Sequence, residues 1–197
     1  TDNNSQSAFV DVREGGGRIL YLEGAARLEQ TFLRRSLRRF KDLSLTYRWI
    51  PSDTSDNWPF NLGPELAPGK FDLYILGDLD AAALGDAQLR KLEAAVSNGA
   101  GLITLGGFST YGPGGYANSP LAKVIPIEMD AGRRSSIGAA PSQSDQIDGP
   151  LEVRLAKSHP ITELGGGDPA ASWLELPPLL GANRWSGRKV APGVQVV

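Results

Sequence analysis

The sequence predicts an α/β domain in which a mainly parallel sheet carries helices on its faces. Short apolar or β-branched runs, typical of strands, recur at residues 18–22, 43–50, 71–76 and 101–105. Two segments between these runs repeat apolar residues at the 3.6-residue period of a helix. The resulting order, β-α-β-loop-β-α-β, is typical of parallel sheets because a parallel pair of strands needs a crossing connection.

The first predicted strand, residues 18–22, leads into a predicted helix from about Arg27 to Lys41. We expect its apolar residues to face the sheet: Leu28, Phe32, Leu33, Leu37 and Phe40. The helix also carries cations that we expect to point mostly to water: Arg27, Arg34, Arg35, Arg38, Arg39 and Lys41. They could bind an acidic partner, anionic lipid or RNA, but a solvated face with cations near the helix C-terminus is the simpler interpretation.

The second predicted strand, residues 43–50, is followed by a loop over residues 51–69 that holds four prolines. Loops of this length without regular structure are uncommon and are often functional or directed at a partner. Tryptophans more often anchor a core or a loop than bind a ligand. Trp58 in this loop is nevertheless kept as a candidate for docking another chain.

The third predicted strand, residues 71–76, stops at Gly77-Asp78. The second helix is expected to begin with Asp86 as its N-cap and to end at Asn98-Gly99. The fourth strand, residues 101–105, follows directly and opens into a turn rich in glycine.

The second half of the chain is rich in glycine and proline, and we expect it to be irregular. The elements predicted there are a helical turn at 120–124, a strand beginning within 124–127, a strand at 151–155 and a short helix starting at His159-Pro160.

Composition narrows the domain organisation and the possible partners. The 197 residues predict a linker or edge segment at 1–17, including a short strand at 9–12, and one domain at 18–197 that is truncated at its C-terminus. A formal net charge of −2 argues against a general nucleic-acid binder. No apolar run approaches the roughly 20 residues that a membrane-spanning helix needs. The compartment stays open, because the absence of cysteine does not decide it.

In an open α/β sheet, the ligand crevice lies beyond the carboxyl ends of the strands. Turns at residues 23–25, 77–80 and 106–111 follow predicted strands and should converge there. They supply our ligand-binding candidates: Glu23, Gly24, Asp78, Gly106, Gly107, Phe108, Ser109 and Tyr111. Tight turns also need glycine for conformational reasons alone. No dinucleotide or P-loop fingerprint is present, so we expect no cofactor, and the ligand stays unknown.

The catalytic candidates are Ser109, Thr110 and His159. A nucleophile elbow needs Gly-x-Ser-x-Gly running straight into a helix, but Tyr111 stands where the second glycine belongs. His159 is the only imidazole and therefore the natural general base near neutral pH. A hydrogen-bonded or solvated residue at the start of a helical turn is the simpler interpretation of His159. Neither histidine nor carboxylate spacing predicts a metal site.

Residues 18 to about 185 resemble the glutamine amidotransferase-like family, a branch of the class I glutamine amidotransferase-like fold. The residues that carry the resemblance are 18–24, 71–78, 99–107, 111–116, 119–121 and 176–179. The resemblance implies a flavodoxin-like, doubly wound sheet with helices on both faces. It also implies that similar domains lie within larger, often membrane-anchored proteins.

Enzymes of this class release ammonia from glutamine with a Cys in a Gly-x-Cys-x-Gly elbow and a His-x-Glu pair. This chain has no cysteine, and Ile161 stands where the carboxylate of the pair would follow His159. We therefore expect a non-catalytic domain that binds a small ligand or a protein partner. The alternatives are a hydrolase that uses Ser109 or Thr110 with His159, and a purely structural or assembly module.

Overall fold

The computed structural model describes residues 16–140, 142–163 and 169–197. Their helices and strands follow one another as β1 (Gly17–Glu23), α1 (Leu28–Leu37), β2 (Leu43–Trp49), β3 (Leu73–Leu76), α2 (Gly85–Ser97), β4 (Gly101–Thr104), β5 (Ile127–Glu128), β6 (Gln146–Leu151), α3 (Pro169–Leu174), β7 (Leu179–Asn183) and β8 (Gly187–Arg188). The predicted strand at 9–12 lies outside the described residues.

Four strands form one parallel sheet in the order β2-β1-β3-β4. The central strand β1 pairs with β2 along its whole length, and Ile19 of β1 lies opposite Leu45 and Leu73. Ile75 of β3 in turn lies opposite Ile103 of β4. The predicted α/β class with a parallel sheet is thereby confirmed, and the strand order is that of a flavodoxin-like sheet.

Each face of this sheet is covered by a helix, because apolar residues alternate along β1. Leu20 and Leu22 point to the face where Leu89 and Leu92 of α2 are buried. Ile19, Tyr21 and Ile75 point to the other face, where the partly buried Leu33 and Leu37 of α1 pack. Each fully buried leucine contributes roughly 1.5–3 kcal/mol to folding.

Helix α1 is shorter than predicted and is rotated relative to the predicted orientation. The expectation that Leu28, Phe32 and Phe40 face the sheet is wrong, since 75%, 60% and 58% of their surfaces are exposed. Polar side chains take part of the inner face instead. Gln30 accepts a hydrogen bond of 3.2 Å from the Tyr47 hydroxyl. The guanidinium of Arg34 lies 4.1 Å from the centre of the Tyr47 ring. The Tyr47 ring on β2 therefore binds the Arg34 cation on the inner side of the helix, although we expected this side chain to point to water.

The segment between β2 and β3 is more ordered than the predicted loop. It contains 3-10 turns at Ser52–Asn57 and Gly63–Leu66, and the side chains of Leu62 and Leu66 are buried. Trp58 packs partly buried against the same core, and its role in docking another chain stays a prediction. Gln88 of α2 fastens the segment, because its side chain accepts from the Leu62 N–H at 2.8 Å.

Helix α2 differs from its prediction at one end. Its N-cap is Leu84, and Asp86 lies within the first turn, so the predicted N-cap is wrong by two residues. The predicted C-terminal stop is confirmed: Asn98 is the C-cap, and Gly99 adopts a φ of +103°, which glycine tolerates without steric cost.

The second half consists of short elements. β5 pairs with β8 and β6 pairs with β7, both antiparallel. The strand predicted at 151–155 is displaced: β6 ends at Leu151, and its pairing with β7 is irregular between Asp148 and Leu151. The helical turns predicted near residues 120 and 160 are present as 3-10 turns.

Candidate functional site

The carboxyl ends of the parallel strands bring most of the predicted site residues together, and Asp78 lies at their centre. Its side chain is 5% exposed. The carboxylate accepts hydrogen bonds from the backbone N–H of Phe108 at 2.9 Å and of Ser109 at 2.5 Å. It also accepts from the Thr110 hydroxyl at 3.2 Å. The turn after β4 is thus wrapped around a carboxylate that follows β3.

Glu23, at the end of β1, accepts a hydrogen bond from the backbone of Asp78 and so fixes its position. Its side chain is fully buried and its two carboxylate oxygens accept four hydrogen bonds. One oxygen accepts from the backbone N–H of Ala25 and Asp78, at 3.1 and 2.8 Å. The other accepts from the Tyr21 hydroxyl at 2.6 Å and from the Arg27 guanidinium at 3.2 Å. A buried carboxylate with this many donors keeps its charge satisfied within the fold.

The charges around Glu23 change the pKa values of its neighbours. Burial, together with the hydrogen bond to Glu23, raises the pKa of the Tyr21 hydroxyl. Burial by itself lowers the pKa of Arg27, but the charge and hydrogen bond of Glu23 outweigh that effect and raise it overall. The raised pKa values favour a neutral Tyr21 donor and a cationic Arg27 beside Glu23.

The glycine-rich turn after β4 uses its own chain to satisfy its backbone groups. The carbonyl of Gly106 accepts from the Arg27 guanidinium at 2.6 Å. The backbone N–H of Gly107 donates to the side-chain oxygen of Asn183 at 2.8 Å, and its carbonyl accepts from the Asn183 amide at 2.6 Å. Together with the bonds to Asp78, these contacts occupy the backbone N–H groups of Gly107, Phe108 and Ser109, so these groups are not free to donate to a ligand.

Close approach explains the glycines at these turns. A Cβ added at Gly107 would lie 2.2 Å from the Asp78 carboxyl carbon, and one at Gly77 would lie 2.2 Å from a carboxylate oxygen of Glu23. At Gly24 it would lie 2.3 Å from the Asp78 carbonyl oxygen. Real side chains do not tolerate such distances, so Gly77 and Gly107 make room for the two buried carboxylates and Gly24 makes room for the backbone of Asp78.

The three catalytic candidates are not assembled into a reactive group. The Thr110 side chain is 2% exposed and its hydroxyl is directed at Asp78 and at backbone carbonyls. Within the described residues, the hydrogen bonds of His159 stay inside its own turn: its ring nitrogen accepts from the Ile161 N–H, and its carbonyl accepts from Thr162. No hydrogen bond in that part of the chain joins His159 to Ser109 or Thr110.

Phe108 is exposed, whereas Tyr111 is partly buried against the core. Phe108 is 55% exposed at the tip of the turn. Tyr111 has a φ of +58°, which is rare for a residue with a side chain. Tyr111 lines a cleft of about 200 Å³ together with Asp130, Arg184 and Trp185. This cleft is the concave feature that lies beside the predicted site.

Two residues that hold the site together were not predicted as part of it. Arg27 was expected to point to water, yet its guanidinium donates to both Glu23 and Gly106. Its place in the sequence, three residues after Gly24 in the predicted site turn, is the feature that could have indicated this contact. Asn183 is separated from Gly107 by 76 residues, and no local pattern marks it.

A wide groove of about 1290 Å³ lies at the opposite, amino-terminal ends of the strands, where Arg18, Phe71 and Ala95 line it. It contains none of the predicted site residues.

Two further findings concern the chemistry open to the chain. In the described ranges, no group of three or more His, Asp or Glu side chains is placed to hold a metal ion. None of the helices in those ranges has the length and apolar character needed to cross a bilayer.

In comparisons with known proteins, no family model, no curated protein and no solved structure matches the chain.

Proposed function

We propose that this chain is a non-catalytic, glutamine amidotransferase-like domain that serves as a protein-interaction module of a larger protein. The observation that carries this proposal is the position of the Asp78 carboxylate on the backbone N–H groups of Phe108 and Ser109. The absence of cysteine in the chain supports it further.

Acyl transfer at a strand-to-helix elbow requires backbone N–H donors that are free to stabilise a developing oxyanion. Here the N–H groups of the turn donate to a carboxylate that is already negative. A second negative charge at the same place would face repulsion in a region that is largely shielded from water. The turn is therefore suited to holding β3 and β4 together, and not to stabilising a transition state.

The outer surface supports the interaction part of the proposal. Several large apolar side chains of the parallel-sheet half are exposed: Leu28, Phe32, Phe40, Ile103 and Phe108. Exposed apolar side chains that form one contiguous patch mark surfaces that bind other proteins, and we propose that these side chains contribute to such a patch. A chain whose crevice is filled by its own carboxylates while apolar side chains face outward fits docking better than turnover.

The test of the non-catalytic part is an ammonia-release assay on the purified chain with glutamine as substrate, run beside a panel of ester substrates. We expect no turnover above that of the heat-denatured chain. Turnover that is lost in Ser109→Ala, or in His159→Ala, and kept in the exposed control Ser97→Ala would overturn the proposal in favour of the hydrolase.

A second candidate function, binding of a small ligand, is favoured by the cleft at Tyr111. Its walls combine an aromatic ring, Trp185, with a cation, Arg184, and an anion, Asp130, which suits a small zwitterion. Isothermal titration with L-glutamine as the probe tests it. Heat of binding that disappears in Arg184→Ala supports this function, whereas no heat at millimolar glutamine removes that ligand.

A further inference from the structure

We propose that two copies of this chain pair through the open edge of β4, with Ile103 facing the same residue of the second copy across a two-fold axis. The two four-stranded sheets would then join into one continuous sheet. This inference rests on the proposed interaction function and deepens it, because it names both the surface and the partner.

The first argument is the state of the backbone along β4. β4 is the last strand in the sheet order, and its pairing within the described residues is with β3. The N–H of Gly101 donates to the carbonyl of Asp72 at 2.8 Å, and the N–H of Leu105 donates to the carbonyl of Leu76 at 2.7 Å. Since alternate residues direct their backbone groups to opposite sides of a strand, those of Leu102 and Thr104 point to the open edge. The Thr104 carbonyl also receives a long contact of 3.4 Å from the Tyr111 hydroxyl.

The second argument is that this short edge strand carries no charged or proline residue that would keep a second strand away. Natural edge strands are kept apart by Lys, Pro or bulges. From residue 97 to residue 122 the sequence has no charged residue, and β4 itself holds neither Lys nor Pro. The opposite edge strand, β2, carries Arg48. Two β4 edges can therefore approach without like-charge repulsion, and this favours a second copy over a charged partner.

The third argument is that the edge is self-complementary in one register. If Ile103 lies on the two-fold axis, Leu102 of each copy lies opposite Thr104 of the other, and both pairs exchange N–H···O=C hydrogen bonds in both directions. Ile103 is then a pair without hydrogen bonds, in which side chains come closest and β-branched residues pack well. Ile103 is 44% exposed in the single chain, so this register covers an apolar surface that is otherwise in water.

The first experiment measures association by analytical ultracentrifugation over a wide concentration range. We expect a concentration-dependent dimer for the natural chain. Ile103→Lys should remain a monomer at concentrations where the natural chain is mostly dimer. The matched control is Ile137→Lys, an isoleucine of similar exposure (41%) in a loop, which should dimerise like the natural chain.

A second variant guards against misfolding of Ile103→Lys. Thr104→Pro removes an N–H that β3 does not use, so the fold should persist while two of the four intermolecular hydrogen bonds are lost. A monomeric natural chain at every concentration, or a dimer that both variants leave unchanged, would overturn the proposal.

Amide hydrogen exchange provides a readout that is specific for the register. We expect the amides of Leu102 and Thr104 to exchange rapidly in dilute samples and to become protected as the dimer forms. The amides of Gly101 and Leu105, which donate within the chain, should be protected at every concentration. Protection of Leu102 and Thr104 that does not depend on concentration would overturn the proposal. Catalytic turnover by the same sample would count against the proposed function and leave the dimer result standing.

Discussion

The Glu23 carboxylate accepts a hydrogen bond of 2.8 Å from the backbone N–H of Asp78, which joins the end of β1 to the residue that organises the turn after β4. Through this contact, a buried charge on the central strand positions a second carboxylate on the neighbouring strand. Asp78 then holds the turn of Phe108 and Ser109. The strand ends are thus tied together by two carboxylates in series.

Glu23→Gln should be among the most destabilising single changes in the site. The amide replaces an acceptor oxygen with a donor that faces other donors, and it leaves Arg27 without its counter-ion. We expect a loss of roughly 3–5 kcal/mol in the free energy of unfolding, measured by urea denaturation. Glu29→Gln, at an exposed position of α1, is the control and should change stability by less than about 0.5 kcal/mol.

Gly107→Ala tests whether the glycine is required by close approach. Its Cβ would meet the Asp78 carboxyl group, which is held by three donors and is not free to move. We expect a loss of about 1–3 kcal/mol, the range found for overpacked sites. Gly187→Ala is the control, because no atom lies within 4 Å of its added Cβ. Equal stability of the two variants would show that the turn relaxes around the methyl group.

Asn183→Ala should loosen the contact between the second half of the chain and the sheet. The variant removes the Asn183 partner from the partly buried N–H and carbonyl of Gly107, at a cost of about 1 kcal/mol for each hydrogen bond lost. Faster hydrogen exchange at the Gly107 amide, relative to the exposed control Asn57→Ala, is the expected signature. Unchanged exchange at this amide would contradict the contact.

Phe32→Ser and Leu33→Ala test the orientation of α1. Phe32 points to water, so the first variant should change stability by less than about 0.5 kcal/mol. Leu33 packs against Ile19 and Tyr21, so the second should cost several times more. Thermal unfolding of both proteins distinguishes the observed orientation from the predicted one, in which both side chains face the sheet and both variants are strongly destabilising.

Asp72 gives a stability that depends on pH. Hydrogen bonds from the side chain and backbone N–H of Arg18 lower its pKa from 3.8 to about 2. A lowered pKa means that the ionised carboxylate favours the folded state, so its contribution is present above pH 3.8 and is lost as the pH falls toward about 2. The difference in unfolding midpoint between the natural chain and Asp72→Asn should therefore shrink over that interval. The exposed variant Asp53→Asn is the control for the removal of one carboxylate.

Local patterns in the sequence account for the four strands, the two helices between them and the turns that converge at the strand ends. Alternation along β1 and the 3.6-residue period of α2 are properties of short segments, and they were predicted for that reason. Asp78 and Glu23 were selected as site residues because they follow strands. That the Glu23 carboxylate accepts from the backbone N–H of Asp78, and the Asp78 carboxylate from the turn after β4, follows from the neighbouring positions of β1, β3 and β4 in the sheet.

By itself, the sequence determined the α/β class, the absence of a thiol nucleophile and the place where the site residues meet. Only the tertiary structure decided what those residues do. The Arg34 guanidinium lies over the Tyr47 ring, and Phe32 is exposed. Asn183 forms hydrogen bonds with Gly107, from which it is separated by 76 residues. Such contacts depend on which elements become neighbours, and that is settled by the packing of the whole chain, because no short segment contains both partners.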